Sequence, residues 1–105
     1  MISLFKPWIT KHCLEDLEII FKKGCLTEGE YSDLFEEKIS EYIGNKNTSL
    51  TNSGTSALHL AGILSGIKKA DEVITTAMTC MATNEPFYNM GAKLVFADVD
   101  ITTGN

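Results

Sequence analysis

Apolar positions along this chain recur in two different rhythms, and the change between them falls near residue 47. Before that point the spacing is helical. Leu14, Leu17, Ile20 and Phe21 lie on one face of a helix predicted over residues 12–23. Glu15, Asp16 and Glu18 crowd its start, where the helix dipole favours negative charge, and Gly24 suits its end. Thr27 followed by Glu30 has the spacing of a capping box, which predicts the start of a second helix. Tyr31, Leu34, Phe35, Ile39, Tyr42 and Ile43 then recur at helical spacing, and Gly44 closes the element.

After residue 47 the segments shorten and change character. Thr48-Ser49-Leu50-Thr51-Asn52 is β-branched and bounded by turn formers, which predicts a strand. A turn of small residues, Ser53-Gly54-Thr55-Ser56, leads into a compact helix carrying Ala57, Leu58, Ala61 and Leu64 and ending near Gly66. Val73-Ile74-Thr75-Thr76 reads as a second strand. Residues 79–90 read as a helix, with Pro86 either disturbing its interior or marking its start, and Gly91 ends it. Leu94-Val95-Phe96-Ala97 reads as a third strand, with Asp98 and Asp100 beyond it. Strand, helix, strand, helix, strand is the order of parallel crossovers, so the fold class is α/β. The organisation expected is a helical segment over residues 1–47, then the first strand–helix–strand units of an incomplete sheet over residues 48–105. Such a sheet has an open edge and uncovered faces.

Charge and composition narrow the function. The chain has 105 residues and a net charge of −5; its nine basic residues are all lysines. Without arginine there is no guanidinium fork for phosphate or guanine, and the lysines are interleaved with carboxylates, so a nucleic-acid partner is not expected. Cys13, Cys25 and Cys80 lack the spacing of a zinc site or a disulfide framework. No apolar run is long enough for a signal peptide or a membrane span, and the expected location is the cytoplasm.

The most informative chemistry lies at Asn52-Ser53-Gly54-Thr55-Ser56. Between a strand and a helix, a glycine with flanking hydroxyls permits close backbone approach, and the free amides of the first helical turn can hold an anion. An ordinary helix cap is the competing reading, because serine and threonine are preferred there in any case. Other motifs fail. Gly24 and Gly29 have P-loop spacing, but Glu30 stands where lysine is required, and no GxGxxG fingerprint occurs. Asp98 and Asp100 begin like a calcium loop, but Thr102 and Thr103 break the pattern. His12 and His59 have no nucleophile or carboxylate at a telling spacing.

Several stretches, in order, resemble the DegT/DnrJ/EryC1/StrS family of sugar aminotransferases. Gly24-Cys25-Leu26-Thr27-Glu28-Gly29 is similar to its early GxLTxG loop, and Phe35-Glu36 through Tyr42-Ile43-Gly44 to its FE…YxG segment. Asn52 through Ala61 is close to NSGTxALHLA. Asp71-Glu72-Val73-Ile74, Met78 through Asn84, and Gly91 through Asp100 follow. The resemblance implies the N-terminal part of the large domain of a fold-type I transferase that uses pyridoxal 5'-phosphate (PLP). Such enzymes transfer an amino group, usually from glutamate, to a keto sugar nucleotide in amino-sugar and polysaccharide biosynthesis, and work as homodimers. It further implies that Gly54, Thr55 and Ser56 hold the PLP phosphate. Cys80, where many relatives carry an aromatic residue, would lie beside the pyridine ring, and Thr27 near the substrate mouth or dimer interface. The family's Schiff-base lysine belongs to a later region, so the fragment is expected to be inactive alone. Ala70 stands where the family usually has glycine. Two other readings stay open: a small phosphate-ligand-binding module without catalysis, and a fragment of a PLP-dependent sugar dehydratase.

Overall fold

A computed structural model describes residues 2–3 and 5–104 and divides the chain into two compact units, Met1–Ser49 and Leu50–Asn105. In the first, α1 spans His12–Lys23 and α2 spans Glu30–Ile43. Gly24 ends α1 in the left-handed conformation (φ 70°), its N–H reaching the carbonyls of Ile20 and Phe21. Glycine reaches this φ without the Cβ clash that other residues suffer. The capping box expected at Thr27 and Glu30 does not form. Gly29 is the N-cap of α2 and no side chain caps it; the Glu30 carboxylate instead pairs with Lys23 Nζ at 2.5 Å. A residue that begins the helix itself cannot also reach back to cap from its third turn position, and the ion pair gives the carboxylate a partner.

The second unit contains α3 (Gly54–Leu64), β1 (Glu72–Thr76), α4 (Met81–Asn89) and β2 (Lys93–Ala97). Its sheet has two strands, paired parallel from Glu72 opposite Lys93 to Thr76 opposite Ala97. The strand expected over residues 48–52 is absent from this structure. A strand needs a neighbouring strand for its amides, and among the described residues the sheet is formed by β1 and β2, while the hydroxyls of this segment bond locally, Thr48 Oγ1 to the Asn45 carbonyl and Thr51 Oγ1 to the Ser53 carbonyl. The other two strands and the helix between them form as the pattern predicts. Pro86 sits inside α4 rather than at its start, and it is buried.

Parallel register sorts the sheet residues by face. Thr75 donates to Asn84 Oδ1 of α4 at 2.6 Å, so Val73, Thr75, Leu94 and Phe96 share the face on which α4 packs. Glu72, Ile74, Thr76, Lys93, Val95 and Ala97 line the other, where Lys93 Nζ meets Glu72 Oε1 at 2.7 Å and Ile74 is 76% exposed. Helix α3 packs on α4 through Gly62, which is buried: a Cβ there would lie 2.9 Å from Met90 Sδ and 3.2 Å from Phe87 Cε1. Among the described residues, no helix is long and apolar enough to cross a membrane.

The link into β1 carries strain. Ala70 has φ 73°, the only described non-glycine residue in the left-handed region, and it is held there by its N–H to the Gly91 carbonyl at 2.8 Å. A Cβ in this conformation costs roughly 1–2 kcal/mol, partly offset by the extra freedom glycine has when unfolded. Ala70→Gly is therefore expected to raise amide-exchange protection at Ala70 and Lys93 by about two- to fivefold, a net gain of roughly 0.5–1 kcal/mol. Unchanged or reduced protection would show that the turn is not strained.

Candidate functional site

The site is built at the start of α3. Ser53 is extended (φ −162°, ψ 158°) and caps the helix: its Oγ accepts the Ser56 N–H at 3.1 Å and donates to Ser56 Oγ at 3.0 Å. The Ala57 N–H reaches the Ser53 carbonyl at 3.0 Å. That accounts for two of the helix's first donors. The N–H groups of Gly54 and Thr55 make no hydrogen bond among the described residues, and an added Cβ at Gly54 would meet nothing within 4 Å. The cap reading is thus observed at Ser53, and the Gly54 and Thr55 amides lie in front of that cap.

Thr55 and Ser56 are half-buried and line a shallow cleft of about 150 Å³ with His59, one turn further along α3, and Glu85, Pro86 and Asn89 of α4. Glu85 and Asn89 are four apart and share a face of α4. Their approach to α3 depends on the helix contact at Gly62, which is why the local motif around residue 54 does not reveal them. The available signal is Gly62 itself, because a glycine in a helix interior marks close packing.

Strand direction places further residues. Thr76 and Ala97 end the two parallel strands at the same edge, so residues 77–80 and 98–103 leave the sheet together. In agreement, a Cβ at Gly104 would lie 3.9 Å from Met78 Cε. In α/β sheets this carboxyl edge is where ligands bind. Cys80 is the N-cap residue of α4, exposed and with a free thiol; it does not line the cleft. Thr79 and Thr83 hydroxyls are 3.1 Å apart beside it.

Asp100 is explained by its own turn. Its Oδ1 accepts from the Thr102 hydroxyl, from Thr102 N–H at 2.8 Å and from Thr103 N–H at 3.0 Å. These bonds, the Thr102 hydroxyl foremost, hold the carboxyl below its ordinary 3.8. A depressed pKa means that the turn is fully capped above the ordinary carboxylate range and loses its cap as pH falls through the lowered value. The Thr102 and Thr103 amide resonances are expected to titrate with a midpoint below 3.8, and Asp100→Asn is expected to abolish the transition. A midpoint at or above 3.8 would contradict the capping. Among the described residues, no group of three or more His, Cys, Asp or Glu side chains is placed to hold a metal ion.

In the first unit, Thr27 lines an open groove with Leu17, Ile20, Phe21, Leu26 and Tyr31. Partial burial, then the Asp16 carboxylate that accepts its O–H at 3.3 Å, push the Tyr31 phenol above its ordinary range.

The profile of the DegT/DnrJ/EryC1/StrS aminotransferase family matches residues 7–105. The chain is 40% identical over 99 residues to the UDP-4-amino-4,6-dideoxy-N-acetyl-beta-L-altrosamine transaminase of Campylobacter jejuni, covering 94% of this chain and 26% of that protein. It is 32% identical over 101 residues to the GDP-perosamine synthase of Vibrio cholerae, covering 95% and 28%. Among solved structures, the aminotransferase TlmJ from Streptoalloteichus hindustanus superposes with a TM-score of 0.78 at 27% identity, covering 100% of this chain and 29% of that one. A GDP-4-keto-6-deoxymannose-3-dehydratase, solved with a trapped PLP-glutamate geminal diamine, has a TM-score of 0.79 at 24% identity, with 94% and 27% covered, and shares the fold. The chain spans about a quarter of the length of the curated relatives it matches. With residues 7–105 matched, it belongs to the DegT/DnrJ/EryC1/StrS aminotransferase family.

Proposed function

We propose that this chain is the N-terminal portion of a PLP-dependent aminotransferase acting on keto sugar nucleotides in amino-sugar biosynthesis. Residues 48–105 are then the first units of the cofactor-binding domain, and residues 1–47 the helical segment ahead of it. The observation that carries this reading is the pair of open amides at Gly54 and Thr55, at the head of a helix within the family match.

The residues present fit a phosphate group. Two N–H donors, the positive end of α3 and the Thr55 hydroxyl are of the kind that binds an anion. The Ser56 hydroxyl accepts from Ser53, which leaves its own proton to donate. When bound, PLP supplies the electron sink for amino transfer, while the protein positions it. In this reading Gly54, Thr55 and Ser56 hold the phosphate, and the Cys80 thiol stands where relatives place a stacking ring, so it contributes less face-to-face contact. Thr27 belongs to the substrate mouth. None of the nine lysines lines the cleft, so the chain binds the cofactor by its phosphate alone and does not transfer amino groups by itself. A sugar nucleotide, a donor such as glutamate, and a second copy are the partners of the complete enzyme.

Equilibrium dialysis against PLP and against pyridoxal tests this. Retention of PLP but not of pyridoxal is expected, with inorganic phosphate competing. Hydrogen bonds to charged groups contribute about 1.5–3 kcal/mol each, so Thr55→Val is expected to weaken PLP retention by roughly 10- to 150-fold. Equal retention of the two compounds, or an unaffected variant, would sink the phosphate assignment.

A further inference from the structure

We draw no further inference here: the strongest candidate, the apolar groove of about 450 Å³ between α1 and the start of α2, lined by Leu17, Ile20, Phe21 and Leu26, carries nothing because no observation in the structure shows what covers it.

Discussion

Heated or titrated with urea on its own, this chain is expected to lose helix signal gradually, and to bind a dye for apolar surface before any denaturant is added. The reason is how little each unit encloses. Only Gly62, Pro86 and Ala92 are buried among the described residues, and Ala92 is the only one of these with a hydrophobic core side chain. Helix α3 is apolar on nearly every side, as helices are when neighbours surround them, yet Leu60, Ile63 and Leu64 are 43%, 56% and 78% exposed. One face of the sheet presents Ile74, and Phe96 on the other is still 58% exposed. Fully burying one such side chain is worth roughly 1.5–3 kcal/mol, and without several of them the ordering entropy of the backbone is not offset. A gradual transition with dye binding in the native buffer is the expected result. A sharp, single melt of a monomer without dye binding would overturn it, and would favour a self-sufficient binding module.

The second large effect is expected at Gly62. Valine there would drive two γ-methyl groups into the space occupied by Met90 Sδ and Phe87 Cε1, already 2.9 and 3.2 Å from where a Cβ would sit. Overpacking of this kind costs about 1–3 kcal/mol, read as roughly 5- to 150-fold lower amide-exchange protection along α3 and α4. Alanine should do much less. The thioether end of Met90 can swing aside, and alanine regains up to about 1 kcal/mol of helix propensity lost by glycine. If valine left the protection of both helices intact, the helix contact would not depend on the missing side chain.

Much of the fold is legible in the residues because its signals are local. The 3.6-residue rhythm of Leu14, Leu17, Ile20 and Phe21 and the glycine after Lys23 fix α1 at the limits observed. The runs around Ile74 and Val95 fix the strands to within a residue. Residues 48–52 have strand composition without strand structure, since β propensity expresses itself only against a neighbouring strand. Thr27 and Glu30 have capping spacing, yet the helix begins one residue after Gly29 and Lys23 takes the carboxylate. Ala70 is a different case: it stands where the resemblance would put a glycine, a departure that bears on turn geometry, and the backbone there has a positive φ. At the site, the small residues Ser53–Ser56 read as a turn, but the structure makes Ser53 the N-cap and Gly54–Ser56 the first turn of α3, because the serine cap lets the helix start there. The polar groups of α4 that face it are invisible in the sequence, because they arrive through packing between segments some thirty residues apart.

Every partnership in the β1–β2 ladder joins residues 21 positions apart, from Glu72 with Lys93 onward. Closing a loop of that length costs on the order of 3 kcal/mol, about 1 kcal/mol less than closing one four to five times as long. A ribosome adding about 5–20 residues per second needs only one to a few seconds to extrude the stretch, whereas loop closure and helix formation take microseconds or less. The crossover from β1 through α4 to β2 is thus available for ordering as soon as it emerges, with Ile74 exposed on one face of its sheet.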